Sequence, residues 1–389
     1  MNGGPVPVSI YRGGTSKGVF LRLAELPAAA SDRDALALGL LGSPDPMQLD
    51  GLGGTHSSTS KLVAVGTPGD AASLGFDAPP DAAVAYLFAQ VAVDRPQVDW
   101  RGNCGNLTAA VAGYALREGI VTAPDGIAEI ALFNVNTGVR VTCRLLVRDG
   151  VAVESGDFAI PGVPGRGARI DIVFHDPASA VTGRTLPTGR PLDTLRIGPR
   201  TLAATIVDVT NPVVAVRASD LGVAGTEAPA ELNADRRFLD LLETIRGEAA
   251  RRCGLVAEGA DAARITPAVP RVIVVAAPVR HRLADGSVVG AADADFVVRT
   301  SSMGVIHHAF TGTGLLAAAA AAAIPGTVFD LVGGVHPDGV RLAHPKGVVP
   351  LAAEVDAGEP EPDVRSVTMA RTARLLMRGA AFPASHDDA

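Results

Sequence analysis

Three lysines are the residues of this chain whose chemistry is hardest to replace. They are Lys17, Lys61 and Lys346, and the other 31 of the 34 basic residues (34 − 3) are arginine. Arginine keeps its proton in a protein, whereas a desolvated lysine can become a neutral amine base. A lysine retained against such a bias is therefore a candidate for proton transfer. The alternative is that all three are chance lysines on solvated loops.

Lys61 is the strongest of these candidates. It precedes the apolar Leu62–Val65, which is typical of a strand, and it follows glycines and a run of hydroxyl side chains. We predict that Lys61 is catalytic and that the hydroxyl run contributes substrate ligands. The run consists of Ser57, Ser58, Thr59 and Ser60.

The segment around Lys17 reads RGGTSKG and lies between two strand-like stretches. Paired glycines with hydroxyls and a lysine predict a loop whose backbone N–H groups face an anion. It is not a phosphate-binding P-loop, because it lacks the four-residue gap between glycines and the Gly-Lys-Ser/Thr order. The substrate ligands expected here are Arg12, Thr15, Ser16 and Lys17.

Cys104 is the second candidate for chemistry. The pattern of Leu107–Glu118 predicts a helix, so the cysteine lies at a helix N-terminus, where free N–H groups favour a thiolate. Its polar neighbours Asn103, Gly105 and Asn106 are expected to bind substrate. The alternative is a small buried hydrophobe, which is the usual role of a free cysteine and the one expected for Cys143 and Cys253.

The second half of the chain repeats this arrangement. Thr311-Gly312-Thr313 aligns with Cys104-Gly105-Asn106 at an offset of 207 residues (311 − 104), and each turn opens an apolar helix. The match predicts two similar domains that face each other across a cleft. The further substrate ligands expected in this half are Asn211, Ser302, Met303, Thr311, Gly312, Thr313, His344 and Lys346. Arg299 and Arg341 are additional candidates for pairing with a carboxylate.

Composition excludes several classes of protein. A net charge of −7 with no basic stripe argues against a nucleic-acid partner. No apolar run reaches the roughly 20 residues that cross a bilayer, and no signal peptide is recognisable at the N-terminus, so we expect no membrane partner. The three cysteines, an odd number without framework spacing, indicate a reducing compartment, and we predict a cytoplasmic protein. A homodimer is the assembly we expect.

Metal and cofactor signals are weak. Adjacent His307 and His308 are expected on opposite faces of a strand, where they could not share one ion, so we predict no metal site. No G-x-G-x-x-G opens a helix after a strand, which argues against a dinucleotide. We predict that the protein uses no cofactor.

The elements that must position these residues can be outlined from the pattern. We predict a helix over Asp32–Leu41, a Pro/Gly-rich loop from Gly66 to Pro80 and a strand over Ala83–Val93. Proline and glycine interrupt the pattern near 185–195, which divides the chain into domains at 1–188 and 189–389. We expect the last strand, within Ser366–Phe382, to return to the first domain.

Four motifs in this order resemble the PrpF family of methylaconitate isomerases, oxalomesaconate tautomerases and related Δ-isomerases. They are RGGTSKG, the G-x-GG-x-x-SSTSK segment, W-x-GNCGN and a late H-P-x-G. The resemblance spans nearly the whole chain. It implies an α+β, diaminopimelate epimerase-like fold, in which each of two similar domains wraps a curved sheet or open barrel round a central helix. The active site then lies in the inter-domain cleft.

The resemblance also implies roles. The family's lysine base matches Lys61, and its Cys-Gly-Asn cysteine matches Cys104. In the related epimerases a second cysteine precedes the second Gly-x-Gly, and Thr311 takes that position here, which argues against a two-cysteine epimerase or racemase. Lys346 stands where relatives tend to carry Ser or Thr.

Together these features predict an isomerase that shifts a proton, by a cis-trans or 1,3-allylic route, on an unsaturated di- or tricarboxylate such as methylaconitate or oxalomesaconate. Lys61 is the expected base, and Cys104 is expected to be the acid or a group that positions the intermediate. The alternative is a non-catalytic protein that binds polycarboxylates or assists an aconitase-like partner.

Overall fold

A computed structural model describes residues 4–257, 261–358 and 361–384. Strands dominate the described chain. They are β1 (Val6–Gly13), β2 (Ser16–Arg22), β3 (Lys61–Gly66), β4 (Val84–Val91), β5 (Val98–Asp99), β6 (Gly126–Asn134), β7 (Val139–Arg148), β8 (Val151–Ala152), β9 (Ile170–His175), β10 (Asp193–Ile197), β11 (Arg200–Val209), β12 (Asn211–Arg217), β13 (Arg271–Ala276), β14 (His281–Arg282), β15 (Val288–Val289), β16 (Phe296–Ser302), β17 (Val305–Ile306), β18 (Val340–His344), β19 (Gly347–Asp356), β20 (Asp363–Arg371) and β21 (Ala373–Ala381).

The helices are fewer and mostly short. They are α1 (Ala30–Leu41), α2 (Pro68–Ser73), α3 (Gly105–Arg117), α4 (Ala218–Leu221), α5 (Pro229–Ala234), α6 (Arg236–Arg252), α7 (Ala262–Ile265), α8 (Gly312–Ala323) and α9 (Val328–Gly333). Two single turns of 3₁₀ helix, Leu23–Glu25 and Ala291–Asp293, complete the set. None of the helices in the described ranges is long and apolar enough to cross a membrane.

The chain forms two units. The first comprises the described residues of Met1–Val173 and Ala370–Ala389, and the second comprises those of Phe174–Met369. The division therefore falls before the expected boundary at 188. The reason lies in hydrogen bonds to β11, since Ser179 N donates to Asp208 O and Asp208 N donates to Thr185 O. The chain returns to the first unit at its end.

The sheet of the first unit follows a regular order of pairing. Strands β1 and β2 form an antiparallel hairpin, β2 and β3 are parallel, and β3 and β4 are antiparallel. Next, β4 and β6 are parallel, and β6 and β7 are antiparallel. The returning β21 pairs with the free edge of β1. Strand β4 is buried at every residue and is apolar except for Gln90, because both faces of the sheet are covered.

Helix α3 is the core of the first unit. It lies against β1, β2, β3, β8 and β21, and all its residues except Gly113 and Arg117 are buried. Alanines at 109, 110, 112 and 115 give the helix short side chains, so the surrounding strands can approach its backbone closely. A curved sheet round a central helix is therefore present in this unit.

The second unit repeats the order of pairing strand for strand. Strands β11 and β12 are antiparallel, β12 and β13 parallel, and β13 and β16 antiparallel. Then β16 and β18 are parallel, and β18 and β19 antiparallel. Helix α8 takes the place of α3, lies against β11, β12, β13, β18 and β19, and is buried at every residue. The echo predicted from two short turns is thus a repeat of the fold, and the α+β class is confirmed.

Two local expectations were wrong. The stretch from Gly66 to Pro80 contains α2, because the Thr67 hydroxyl and the Asp70 carboxylate form a capping box round a proline at the start of the helix. His307 and His308 do not lie on opposite faces of a strand. Strand β17 ends at Ile306, and the two imidazole rings stack with their centroids 4.5 Å apart.

Candidate functional site

Lys61 is the first residue of β3 and is only 7% exposed. The antiparallel register of β3 and β4 sets it opposite Gln90, and Lys61 Nζ donates to Gln90 Oε1. The Nζ atom also lies 5.2 Å from the centroid of the Phe88 ring. Gln90 is itself held, because its Nε2 donates to the carbonyl oxygens of Ser57 and Ser60 at 3.0 Å each. The amine is therefore fixed in place by a neutral acceptor and an aromatic face.

Of the four hydroxyl side chains before Lys61, three have hydrogen-bond partners among the described residues and one has none. Thr59 Oγ1 donates to Gly54 O at 2.8 Å, and Ser60 Oγ accepts from Gln48 Nε2 at 2.7 Å, so both hold the loop together. Ser58 Oγ lies 3.1 Å from His56 Nδ1. The buried Ser57 Oγ has no hydrogen-bond partner among the described residues. Ser57 is thus the hydroxyl of this run that is best placed to receive a ligand.

Cys104 is the N-cap residue of α3 and is 8% exposed. Its N–H donates to Asn103 Oδ1 at 2.6 Å, and its Sγ lies 3.9 Å from Ser16 Oγ. Asn103 Nδ2 in turn donates to the Tyr86 hydroxyl at 3.0 Å. Burial raises the pKa of Tyr86, so its hydroxyl stays neutral. The thiol is therefore held at the positive end of a helix by uncharged groups.

The turn between β1 and β2 presses directly on the first turn of α3. A Cβ on Gly13 would lie 2.5 Å from Asn106 O, and one on Gly14, whose φ is +50°, would lie 2.3 Å from Asn106 Oδ1. Asn106 Nδ2 donates to Thr15 Oγ1 at 3.1 Å, and Lys17 N donates to Ser58 O at 3.0 Å. The two glycines are required for this close approach.

The structure brings Lys61 and Cys104 to the same end of β2. Cys104 Sγ touches Ser16, as described above. Two residues further along, a Cβ on Gly18 would lie 3.4 Å from Lys61 Cβ and 2.7 Å from Leu107 Cδ1, in the first turn of α3. The first unit thus collects an amine, a thiol, the RGGTSKG turn and a helix N-terminus.

Arg371 also belongs to this cluster, although its sequence context gave no signal. It is 4% exposed, and its Nε donates to Asn106 Oδ1 at 2.9 Å. Burial lowers the pKa of Arg371 to about 10. Arg12, which was expected here, donates to the carbonyl oxygens of Thr372 and Gly14 at 2.7 and 3.2 Å.

The second unit holds a counterpart with different chemistry. Val213 pairs with Arg271 in the parallel pair β12 and β13, where the residue that corresponds to Arg271 in the first unit is Lys61. Arg271 is 7% exposed, and its Nη1 donates to Thr313 Oγ1 at 2.9 Å, in the first turn of α8. The side-chain amide of Asn211 is oriented so that its nitrogen donates to Thr210 O and its oxygen accepts from Arg271 Nη1 at 2.8 Å. Here a permanent cation replaces the lysine.

The remaining predicted ligands of the second unit are spread over three turns. Thr311 is the N-cap residue of α8, and its buried Oγ1 has no hydrogen-bond partner in the described ranges. Ser302 ends β16, and Met303 follows in a turn at φ +54°. His344 ends β18, where its Nδ1 accepts from Lys346 N at 3.1 Å. The turn at Thr311 is the one that the fold aligns with Cys104.

The two arginines that the sequence suggested as carboxylate partners bind other groups of the second unit. Arg341 is half-exposed and forms an ion pair with Asp295 at 2.7 Å. The buried Arg299 donates to the carbonyl oxygens of Glu227 and Val298, at 3.0 and 2.9 Å. Both side chains therefore serve the fold of the second unit.

Three polar residues of the clusters were missed by the sequence analysis. Gln90 is the polar residue in the otherwise apolar run VAYLFAQV, and Arg271 begins RVIVVA just as Lys61 begins KLVAVG. These two signals were available in the sequence. Arg371 comes from the returning tail, and only the fold reveals it. Within the described ranges, no group of three or more His, Cys, Asp or Glu side chains is arranged to hold a metal ion.

Comparison with known proteins agrees with this architecture. The chain is 39% identical to the 2-methyl-aconitate isomerase of Shewanella oneidensis over 96% of each chain, and 38% identical to the 3-methylitaconate isomerase of Eubacterium barkeri over 96% of each. The crystal structure of a methylitaconate-delta-isomerase superposes with a TM-score of 0.76 at 36% identity, covering 98% of this chain and 96% of that one.

A more distant structure supports the fold alone. A hydroxyproline epimerase from Agrobacterium vitis aligns with a TM-score of 0.57 at 13% identity, covering 100% of this chain and 94% of the epimerase. The fold is diaminopimelate epimerase-like, as the resemblance implied. The family described as PrpF protein matches residues 5–383. The chain therefore belongs to the PrpF family, and it is an isomerase.

Proposed function

We propose that this isomerase moves a proton on an unsaturated di- or tricarboxylate, such as methylaconitate or oxalomesaconate, by a cis-trans or 1,3-allylic route. The observation that carries the proposal is the placement of a buried amine and a buried thiol, Lys61 and Cys104, at one end of β2. Two groups that can each take and give a proton are what such a shift requires. No metal or cofactor is needed for this chemistry.

The reaction must also stabilise the negative charge that develops when a C–H proton leaves. The electrons of that bond delocalise over the double bond onto a carboxylate as a dienolate. Free N–H groups at the start of α3 are preorganised donors, and loss of one such donor typically costs about 3 kcal/mol. The RGGTSKG turn lies against Asn106 in the first turn of α3 and adds donors there, and the Ser57 hydroxyl is a further donor of the first unit.

A second carboxylate needs a separate cation that cannot exchange protons with the substrate. Arg271, bonded to Thr313 at the start of α8 in the second unit, is a cation of this kind, because a guanidinium stays charged and binds carboxylates through two donors. We propose that the first unit performs the proton transfer with Lys61 and Cys104, and that Arg271, Thr311 and Thr313 form a carboxylate-binding group of the second unit. Thr311 in place of a second cysteine argues against a two-thiol epimerase.

The identity of the substrate class is tested by incubating the purified protein with unsaturated di- and tricarboxylates in heavy water and following the spectrum by NMR. We expect isomerisation with deuterium incorporated at the carbon that is reprotonated. An accessory protein that only binds polycarboxylates would give no exchange by itself. A cytoplasmic location and a homodimeric assembly remain proposals that rest on the sequence.

The role of Lys61 is tested with Lys61→Ala. We expect turnover to fall roughly 100- to 10,000-fold, the usual contribution of general acid–base catalysis, with folding intact by circular dichroism. Near-normal exchange in this variant would exclude Lys61 from proton transfer.

Cys104→Ser tests the other partner. A hydroxyl is a far weaker acid than a thiol, so we expect strongly slowed turnover with some residual exchange. An unchanged rate would make Cys104 a packing residue.

A further inference from the structure

The second unit contains a cavity of about 270 Å³ that the proposed reaction does not use. It is lined by the first turn of α5, by residues 282–284 at the tip of the β14–β15 hairpin, and by Arg299 of β16. The charged side chains of the lining are Arg282, Arg299 and Glu231. Two cations against one carboxylate give the cavity a positive balance.

The register of the strands shows on which face of the sheet this cavity lies. Arg271 of β13 reaches Thr313 in α8, and side chains alternate along a strand, so Val274 points to the other face. There Val274 packs in one apolar cluster with residues of α6. Arg299 is paired with Val274 across β13 and β16 and therefore shares its face. The cavity is thus separate from the polar group at the start of α8.

Arg299 makes this cavity a candidate anion site. Its side chain is 2% exposed, its Nε donates to Glu227 O at 3.0 Å, and its Nη1 donates to Val298 O at 2.9 Å. These two nitrogens serve the fold. The third, Nη2, has no hydrogen-bond partner among the described residues, so its two N–H groups are available to a ligand in the cavity. A buried cation that lacks a paired anion is costly.

The nearby glutamates are bound to the backbone instead. The Glu227 carboxylate accepts from two backbone N–H groups, at 2.6 and 2.8 Å, and the Glu231 carboxylate accepts from a third at 3.1 Å. Burial outweighs the charge of Glu227 and lowers the pKa of Arg299 to about 10. The guanidinium of Arg299 is therefore incompletely neutralised by the protein, and an anion in the cavity would complete the pairing.

An anion in this cavity would contact two elements that support the β16–β17 hairpin. Helix α5 carries Asn233, whose side-chain amide accepts from Ile306 N at 2.7 Å and donates to Ile306 O at 3.1 Å. Arg299 lies on β16, three residues before Ser302. Ser302 and Met303, which the sequence suggested as substrate ligands, lie at the turn of this same hairpin. A ligand bound by α5 and Arg299 therefore links the helix to the hairpin.

We propose that this cavity binds a small oxyanion, a carboxylate or a phosphate group, through Arg299 Nη2 with Arg282 as a second cation, and that the bound anion makes the β16–β17 hairpin more rigid. Pockets for drug-sized ligands measure roughly 300–1,000 Å³, so a cavity of about 270 Å³ takes a smaller molecule, such as succinate or inorganic phosphate. The site lies outside the groups assigned to isomerisation and does not depend on that activity.

Hydrogen–deuterium exchange measured by mass spectrometry tests the proposal on the unsubstituted protein. Succinate and inorganic phosphate are added separately at constant ionic strength. We expect at least one of them to slow the exchange of backbone amides in residues 226–234 and 299–307, and the more effective probe identifies the preferred oxyanion. The segment 226–234 is decisive, because an anion bound only by the groups assigned to isomerisation would leave it unprotected.

Arginine variants locate the binding site. Loss of a hydrogen bond to a charged group weakens binding by roughly 10- to 100-fold, so Arg299→Met should raise the dissociation constant from a titration of this protection by that factor. Arg282→Met, at an exposed position on the hairpin, should raise it less. Arg280→Met is the matched control, because Arg280 is also exposed and does not line the cavity, and it should leave the dissociation constant unchanged.

Two results would overturn the proposal. One is unchanged exchange in residues 226–234 of the unsubstituted protein with both probes, a measurement that needs no variant to fold. The other is a dissociation constant that is the same in Arg282→Met as in Arg280→Met. Neither result concerns deuterium incorporation into polycarboxylates, so failure of this proposal would leave the proposed isomerase activity untouched.

Discussion

Gln90 decides where the amine of Lys61 can be, because its own amide is fixed at both ends. The two carbonyl oxygens of Ser57 and Ser60 hold Nε2, and Oε1 is left to accept from Lys61 Nζ. A lysine side chain is long and flexible, so without this acceptor the amine would sample many positions. A polar residue in an apolar strand has here a specific role in the proposed site.

We therefore expect Gln90→Leu to reduce kcat while the protein remains folded. Loss of a hydrogen bond to a charged group costs about 1.5–3 kcal/mol, which corresponds to a decrease of roughly 10- to 100-fold. The carboxylate ligands that we propose are other groups, so KM should change little. Steady-state kinetics measure both constants, and Gln97→Leu, on the loop before β5, is the control. An unaltered kcat would show that Gln90 does not position the amine.

Asp208 is a buried carboxylate of the second unit whose cost to stability depends on pH. Its Oδ2 accepts from Val181 N and Thr182 N at 2.9 and 2.7 Å, whereas its Oδ1 has no partner in the described ranges. Burial, opposed by the hydrogen bonds from Thr182 and Val181, raises the pKa of this carboxyl. The folded state therefore holds this proton to higher pH than the unfolded state does.

The sign of the effect follows from linkage. Between the unfolded pKa, about 3.9, and the raised folded pKa, the native state binds more protons, so the free energy of unfolding falls as pH rises. We expect Asp208→Asn, which keeps the acceptor and cannot ionise, to remove this dependence and to be more stable than the parent at neutral pH. Urea unfolding at a series of pH values measures it, with the exposed Asp125→Asn as control. If the free energies of unfolding of the parent protein and of Asp208→Asn change with pH in the same way, the raised pKa of Asp208 is contradicted.

At the scale of elements, the turn between β1 and β2 and the first turn of α3 form one assembly. The sequence indicated both parts, since RGGTSKG reads as an anion-facing loop and the apolar spacing after Cys104 reads as a helix. It did not indicate that Gly13 and Gly14 touch Asn106, because the contact joins residues about ninety positions apart in the chain. Local patterns predict elements, whereas packing between them depends on the whole fold.

Gly14→Ala should accordingly damage both stability and catalysis. The new Cβ would lie 2.3 Å from Asn106 Oδ1 at a φ of +50°, so the turn or the helix must move. We expect a loss of about 1–3 kcal/mol in the free energy of unfolding, together with reduced kcat. Gly150→Ala is the matched control, because Gly150 also has a positive φ, +72°, but has open space around its Cα. It should cost only backbone strain, about 1 kcal/mol, and leave kcat intact. Equal effects in the two variants would remove the steric argument.

At the scale of the whole molecule, the repeated order of strand pairing explains which functional residues could be predicted. Lys61 and Cys104 stood out because their types are chemically unusual in this chain. Arg271 opens the apolar run RVIVVA as Lys61 opens KLVAVG, but this signal could be recognised only when β13 was seen to occupy the place of β3. Arg371 required the knowledge that the tail returns to the first unit.

The returning tail supplies both an edge strand and the Arg371 guanidinium to the first unit. Strand β21 runs antiparallel to β1, with Ala373 opposite Gly13 and Ala381 opposite Val6. A chain that stops after Met369 would leave β1 as an exposed edge, which favours aggregation, and would lack Arg371. We expect this truncated protein to lose activity and to have a first unit that is readily digested by protease.

The register of β1 and β21 also predicts how the activity and protease resistance of the truncated protein can be restored. Because the end of β21 lies beside the start of β1, residues 370–384 can be moved in front of residue 4 through a short Gly/Ser linker of about four residues. The strand then pairs with β1 in its original direction, and Arg371 again reaches Asn106. We expect this permuted chain to recover protease resistance and deuterium exchange, whereas a permuted chain with Arg371→Met should recover only the resistance. If deuterium exchange returns equally in both permuted chains, the tail acts only as a strand. If the permuted chain is digested by protease as readily as the truncated chain, the pairing of β21 with β1 is contradicted.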